Sequence, residues 1–106
     1  MELHEQCTFL VGKIKETRQS IIDNVVGAMK KHNVREIYCG YITHTPMIHE
    51  SKTLDSISLN GNKIVLYCSD EVENDYFFAE HIDIELLIEF YLWFIDYEDE
   101  LFEQDY

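Results

Sequence analysis

The chain has 106 residues and a formal net charge of −13, and its charges are segregated along the sequence. All eight Lys and Arg residues lie at or before Lys63, together with seven carboxylates, whereas the rest of the chain carries fourteen carboxylates and no Lys or Arg. A net charge of this sign repels phosphate, which excludes direct nucleic-acid binding as the main function. Hydrophobic residues make up 46% of the chain, enough apolar surface for a folded protein despite the charge.

The length predicts a single domain over residues 1–106, with an acidic C-terminal helix and tail over residues 81–106. The first residues contain neither a basic region nor a small-residue cleavage site, and the longest apolar run, residues 86–95, is too short to cross a bilayer. We therefore expect a cytoplasmic protein with no membrane partner. Three widely spaced cysteines, Cys7, Cys39 and Cys68, fit reduced, buried thiols better than a disulfide framework.

The first predicted element is a long amphipathic helix over residues 5–32. Its apolar residues recur at spacings of four and seven and form one stripe: Leu10, Ile14, Ile21, Val25 and Met29. The cations that lie off this stripe give the molecule its predicted basic surface: Lys13, Lys15, Arg18 and Lys30. We expect the helix to stop at Asn33, because asparagine adopts the left-handed conformation that ends many helices.

A strand is predicted over residues 34–43, ending before Thr45 and Pro46, and the loop from there to Asp55 has no clear pattern. The next segment predicts a β-hairpin, because two alternating runs flank Asn60–Gly61, the preferred pair for a type I′ turn. With that pair as the loop, Ile57 faces Ile64. We expect one face of the hairpin to join the core, namely Ile57, Leu59, Ile64 and Leu66, and the other to point outward, namely Ser56, Ser58, Lys63, Val65 and Tyr67.

Residues 76–78 fit either a short edge strand or an apolar lead-in to a second helix, predicted over residues 81–101. Most of this helix is apolar, and its carboxylates form one acidic stripe: Glu85, Glu89, Asp96, Glu100 and Glu103. We expect Trp93 and at least one of Phe90 and Phe94 to be buried. The predicted fold is α+β, a small antiparallel three-stranded sheet packed by two helices in the order α-β-β-β-α.

Two groups of residues have metal-ligand chemistry. His81, Glu85 and Glu89 stand four residues apart and could hold a divalent ion on one side of a helix, but the first helix offers only Glu16 and Asp23 to complete such a site. The second group, Cys39, His44, His49 and Cys68, matches no closed zinc site. We therefore expect no metal and no cofactor.

No catalytic residue is predicted either. A nucleophilic pair of Cys39 and His44 would lack an orienting acid and an oxyanion-stabilising element in the sequence. None of the four glycines lies in a phosphate-binding loop. A small metal-dependent enzyme remains an alternative, but we expect a protein that is not an enzyme.

The dense carboxylates of the second helix and tail can imitate the phosphates of a nucleic acid, and a basic surface on another protein would attract them. We expect a partner protein with such a surface, for example one that binds nucleic acid. The candidate partner-binding residues are Glu85, Glu89, Tyr91, Asp96, Tyr97, Glu98, Asp99, Glu100, Phe102, Glu103 and Asp105. The simpler interpretation is a solvated helix face whose charge only maintains solubility.

The size and charge distribution are similar in kind to those of small phage-encoded inhibitors of host defence, including anti-CRISPR and anti-restriction proteins that act as nucleic-acid mimics. The resemblance implies an inhibitor that binds protein, and it carries over no motif and no individual residue. A second hypothesis is a self-associating structural or adaptor protein that forms a homodimer through the aromatic flank of the second helix.

Overall fold

The computed structural model of the chain describes the backbone of residues 3–42 and 44–103, and the side chains of residues 17–42 and 44–103. In chain order the elements are α1 (Leu3–Lys31), β1 (Glu36–Tyr38), β2 (Met47–His49), β3 (Lys52–Asn60), β4 (Lys63–Ser69), β5 (Asn74–Phe78), a 3-10 turn (Ala79–His81), α2 (Ile84–Asp96) and α3 (Glu98–Phe102). The α+β class is confirmed. The three-stranded sheet and the order α-β-β-β-α are wrong, because the sheet has five strands and the second helix is divided.

The sheet is antiparallel throughout and is built around β3. One edge of β3 pairs with β4, and the other edge is shared by β1 and β2, which pair with its second and first halves respectively. Strand β5 pairs with the far side of β4, so residues 76–78 belong to a strand. The sequence pattern did not indicate β2, because a three-residue strand next to Pro46 is too short to show an alternation.

Strand β5 forms one edge of the sheet. One of its backbone N–H groups is hydrogen-bonded by a side chain of the same strand. The Tyr76 backbone N–H donates a hydrogen bond to Asp75 Oδ1 at 2.8 Å. At the turn that enters this strand, the Asp70 carboxylate accepts from the Val72 and Glu73 N–H groups, each at 2.8 Å, and these bonds lower the pKa of Asp70. In the turn and in this edge strand, some backbone N–H groups are therefore hydrogen-bonded by side chains of the same segment.

The β3–β4 hairpin forms as predicted, but its register differs. Asn60 pairs with Lys63, so the two-residue loop is Gly61–Asn62 rather than Asn60–Gly61. Gly61 has a φ of 66°, whereas positive φ among the described non-glycine residues occurs only at Asn33 and Glu50. A glycine with positive φ at the first loop position is typical of a type II′ turn, so the type I′ assignment is wrong.

The core face of the hairpin is nevertheless the predicted one. The register differs by an even number of residues, and since strand side chains alternate with a period of two, the same residues remain on the same face. Ile57, Ile64 and Leu66 are buried and Leu59 is half-buried. On the outer face, Val65 is only 6% exposed, because its register partner there is the aromatic Phe78.

Helix α1 packs on one face of the sheet and ends as the sequence predicts. Ile21, Val25 and Met29 are buried, while the predicted stripe residues Leu10 and Ile14 and the cations Lys13 and Lys15 lie outside the described side chains. The helix stops in a Schellman motif: Asn33 has a φ of 56°, its N–H donates to the Lys30 carbonyl, and the Val34 N–H donates to the Met29 carbonyl.

Helices α1 and α2 run side by side in the same direction over the core. Arg18 of α1 contacts Ile82, Asn24 contacts Tyr91 farther along, and His32 stacks on Phe102 at the end. Helix α1 contacts β4, α2 contacts β2 and α3 contacts β1, so the three helices form a single layer on the sheet. The described residues therefore share one hydrophobic core.

Adding a methyl group at two glycines should change stability in opposite directions. Gly61→Ala should lower the free energy of unfolding by about 1 kcal/mol or more, because an L side chain is strained at positive φ. Gly27→Ala, in an exposed position of α1 with open space around it, should raise it by about 1 kcal/mol through helix propensity. Urea unfolding midpoints test both, and an unchanged midpoint for Gly61→Ala would contradict the turn assignment.

Candidate functional site

Two side chains fix the start of α2: the Asp83 carboxylate and the Arg18 guanidinium. Asp83 is the N-cap residue, and its Oδ1 accepts a hydrogen bond from the Glu85 N–H at 2.9 Å. Arg18 Nη1 on α1 donates to the carbonyl oxygens of Ala79 and Glu80 at 3.3 Å and of Ile82 at 2.5 Å. The cap and the guanidinium together set where α2 begins relative to α1.

The aromatic residues of α2 point into the core. Phe90 and Phe94 are buried with Leu87, and Trp93 is 9% exposed, which confirms the predicted burial. Phe90 lies near both Trp93 and Phe94, with ring centroids 6.3 Å and 6.0 Å away. The Trp93 Nε1–H has no acceptor among the described residues. The part of α2 that faces away from the core is therefore not aromatic, apart from the edge of Tyr91.

An aliphatic stripe instead lies on the outer surface of α2. Ile88, Leu92 and Ile95 stand four and three residues apart and are 38%, 58% and 48% exposed. Residues at these spacings are neighbours on one side of a helix. The same spacing is present in the sequence. It did not predict an exposed stripe, because nearly every residue of this segment is apolar and the pattern does not show which side of the helix faces the sheet.

An acidic row lies directly beside the aliphatic stripe. Glu85, Glu89 and Asp96 are exposed on one side of α2, and Leu92 is separated from Glu89 by three residues and from Asp96 by four. In the described ranges, Lys52 forms an ion pair with Asp75 and Lys63 forms one with Glu80, His49 Nε2 lies 3.8 Å from Glu50 Oε1, and none of these contacts includes a member of this row. We call these three residues the acidic row.

The predicted acidic stripe does not continue into α3. Residues 81–101 were predicted as one helix, but His81 ends the 3-10 turn and α2 stops at Asp96. Tyr97, with φ −106° and ψ 12°, separates α2 from α3. The helical spacing that linked Asp96 to Glu100 and Glu103 therefore does not apply across the break, although both glutamates are exposed.

Carboxylates of the α3 segment lie beside Lys31 and His32 at the end of α1. A shallow cavity of about 370 Å³ is lined by Lys31 and His32 at the end of α1 and by Glu98, Asp99, Phe102 and Glu103 of the α3 segment. The Phe102 ring stacks on His32 with centroids 4.1 Å apart and planes inclined by 11°. Among the described residues, Lys31 therefore shares this cavity with carboxylates of the α3 segment, whereas α2 itself carries no Lys or Arg.

The three aromatic residues predicted to bind a partner are largely engaged within the chain. Tyr91 Oη accepts a hydrogen bond from Asn24 Nδ2 at 2.9 Å, and the Tyr97 ring lies 5.7 Å from Trp93. These tyrosines and Phe102 are half-buried against the core. The remaining predicted residue, Asp105, lies outside the described residues.

The sequence-predicted metal and nucleophile groups do not assemble. His81 belongs to the 3-10 turn and not to the helix that carries Glu85 and Glu89, so the helical spacing assumed for those three ligands is wrong. Cys39 is buried while His44 is exposed. In the part of the chain that the structure describes, no three His, Cys, Asp or Glu side chains are close enough together to hold a metal ion.

Both described thiols are free and buried, which suppresses their ionisation. Desolvation, with a smaller contribution from Asp55, raises the pKa of Cys39 to about 12. Burial and the neighbouring Asp75 also raise the pKa of Cys68. Since the thiolate is the nucleophilic form, these cysteines are packing residues at neutral pH.

No family model, curated protein or solved structure matches this chain. The surface of α2 is the candidate site: an exposed aliphatic stripe lies beside a row of carboxylates that form no ion pair with a described residue. Such a surface can bury apolar area at its centre and form charge-assisted contacts at its edge, which is the general arrangement of a protein-binding patch.

The thiols offer a direct test of the packing. In a Cys7→Ser background, Cys39 and Cys68 should react with iodoacetamide at neutral pH on the order of a hundredfold more slowly in the native protein than in urea, because labelling requires opening of the core. Mass spectrometry of timed samples measures both rates. Native labelling at the rate of the unfolded chain would contradict the burial and the raised pKa of Cys39.

Proposed function

We propose that the chain is a non-enzymatic protein-binding module or inhibitor whose acidic helix α2 occupies a basic surface of a partner protein. The observation that carries this proposal is the acidic row. Glu85, Glu89 and Asp96 are exposed together on a helix whose opposite side is anchored in the core, and none is paired with a described cation. Carboxylates on an anchored helix that are not neutralised by a described cation remain available to attract an external cation.

The geometry of α2 supports a limited mimicry of nucleic acid. At 1.5 Å per residue, the acidic row spreads three charges over about 16 Å, whereas one strand of a duplex places a phosphate every 3.4 Å or so. The row is thus sparser than a phosphate backbone and fits a few Lys or Arg residues in a basic cleft. If the C-terminal carboxylates take part, they extend the contact beyond α2.

The proposed class of partner follows from the charge of the acidic row. A protein that binds nucleic acid exposes the basic surface that the row requires, and an inhibitor of host defence of the kind made by phages would gain from blocking it. The free, buried thiols Cys39 and Cys68 support an encounter in a reducing compartment such as the cytoplasm.

Neutralising the acidic row should impair binding without harming the fold. The variant Glu85→Gln, Glu89→Gln, Asp96→Asn should keep its free energy of unfolding within about 0.5 kcal/mol, because losing repulsion between Glu85 and Glu89 offsets a small loss at the helix N-terminus. Its association rate with a protein captured from the source organism and then purified should fall about tenfold at low salt. Surface plasmon resonance at several salt concentrations measures this rate.

A matched control separates position from total charge. The variant Glu36→Gln, Glu71→Gln, Glu73→Gln also removes three negative charges, but from exposed residues of β1 and the β4–β5 turn. It should bind the captured protein nearly as fast as the original chain, and a short DNA duplex should compete with both. Equal binding by the acidic-row variant, with no salt dependence and no competition, would overturn the proposal.

Self-association is the second candidate function, and the aliphatic stripe is the observation that favours it. The predicted aromatic flank cannot form the interface, because Phe90, Trp93 and Phe94 are buried in the core of the chain itself. Ile88, Leu92 and Ile95 take its place as an apolar surface that a second copy could cover.

Light scattering at micromolar concentration distinguishes the two functions. We expect a monomer, because the acidic row adds repulsion between two copies that meet at α2. Leu92→Glu is the appropriate probe, since Leu92 is exposed, whereas Phe94→Glu would disrupt the core. A dimer that Leu92→Glu converts to a folded monomer would favour the adaptor function.

A further inference from the structure

We infer that the groove between α1 and α2 binds an amphipathic helix of the partner, one with an apolar stripe and a row of Lys or Arg along one side of it. The inference rests on the proposed function and specifies the part of the partner that contacts α2. It follows from the position of the aliphatic stripe, which lies between this groove and the acidic row.

The groove is open and has two different walls. It has a volume of about 340 Å³, and it is lined on the α1 side by Thr17, Ser20, Ile21 and Asn24 and on the α2 side by Ile88, Tyr91 and Leu92. The hydrogen bond between Asn24 and Tyr91 joins the walls at 2.9 Å. The α1 wall is therefore uncharged and mostly polar, and the α2 wall is mostly apolar.

The shape of this groove matches a helix. Its two walls are neighbouring helices that run in the same direction, and the side chains of a third helix pack into such a groove as ridges. From Ile88 to Ile95 the stripe extends about 10 Å, which corresponds to about two helical turns. A partner helix would place residues at i, i+3 or i+4, and i+7 against it, as in other helix-in-groove complexes.

The charges around the groove determine where the cations of the partner must lie. Beyond Leu92 the surface changes at once from aliphatic to acidic, because Glu85, Glu89 and Asp96 flank this side chain. On the opposite side, the described groove wall consists of Thr17, Ser20, Ile21 and Asn24, none of which is charged. Lys or Arg residues are thus stabilised on the α2 side of the bound helix and gain nothing on the α1 side.

A second copy of the chain is a poorer occupant of this groove. In an antiparallel two-fold arrangement of α2 helices the two acidic rows lie on the same side and repel each other. In a parallel arrangement each row faces the uncharged α1 wall of the other copy. Neither arrangement supplies a cation from the described residues around the groove, so a cationic partner helix satisfies the acidic row and a second copy does not.

Three synthetic peptides with helix-forming sequences test the inference by fluorescence anisotropy. The first has Leu and Ile at i, i+3, i+4 and i+7, with Lys and Arg along one side. The second has the same composition in an order that destroys the stripe, and the third keeps the stripe but replaces the cations with Gln. The first should bind at least about tenfold more tightly than either of the others.

Two protein variants and a control locate the binding surface. Leu92→Gln should weaken binding of the first peptide about tenfold and leave the weak, charge-driven binding of the second unchanged. The acidic-row variant should weaken binding of both. Val72→Gln removes another exposed apolar side chain, 90% accessible in the β4–β5 turn, and should have no effect.

The outcomes separate this inference from the proposed function. If the acidic-row variant weakens binding but Leu92→Gln does not, or if the first and second peptides bind equally, the groove is not the site and only the acidic surface remains supported. If the acidic-row variant has no effect on any peptide, the proposed function fails, and the inference fails with it. A Leu92-dependent dimer that excludes the first peptide would assign the groove to a second copy and overturn the inference.

Discussion

The structure depends on one constraint: two parallel helices share a single face of one sheet. A helix in such a layer can bury only the side that faces the sheet and its neighbour, yet most of the α2 circumference is apolar. The aromatic residues Phe90 and Phe94 occupy the buried side, and the aliphatic residues that remain, Leu92 above all, are left at the surface. The exposed stripe is therefore a consequence of the two-layer arrangement, and the acidic row beside it gives that surface a charge preference.

The break at Tyr97 resolves a conflict within the acidic segment. Carboxylates at the C-terminal end of a helix are disfavoured by its dipole, and a single helix over residues 81–101 would have concentrated them there. Because the chain starts a new helix at Glu98, the residues Glu98, Asp99 and Glu100 lie in a first turn instead. The break also turns Leu101 into the core, where it is fully buried. Local electrostatics and core packing thus favour the same interruption.

The sequence predicted the features that depend on the local chemistry of a residue or on the alternation of side chains along a strand. Asn33 ends α1 because an asparagine tolerates positive φ. The core-facing residues of the hairpin were predicted correctly despite the wrong register, because strand side chains alternate and the register differs by an even number of residues. It did not predict β2, the break at Tyr97 or the aliphatic stripe. These depend on which surfaces meet in the folded chain: Met47–His49 is a strand only because β3 offers it an edge, and Leu92 is exposed only because α1 already covers the neighbouring core. The acidic candidates were found from composition, but their division between α2 and α3 required the fold.

The hydrogen bond from the Tyr76 backbone N–H to Asp75 Oδ1 limits how copies of this sheet can meet. An edge strand with free backbone donors is a template for strand addition, and a protein at high concentration risks joining edge to edge into fibrous aggregates. In β5 an incoming strand would have to displace a carboxylate from the donor it needs and to approach a negatively charged edge. At this donor, strand addition to β5 would therefore be less favourable than addition to an edge whose backbone donors are free.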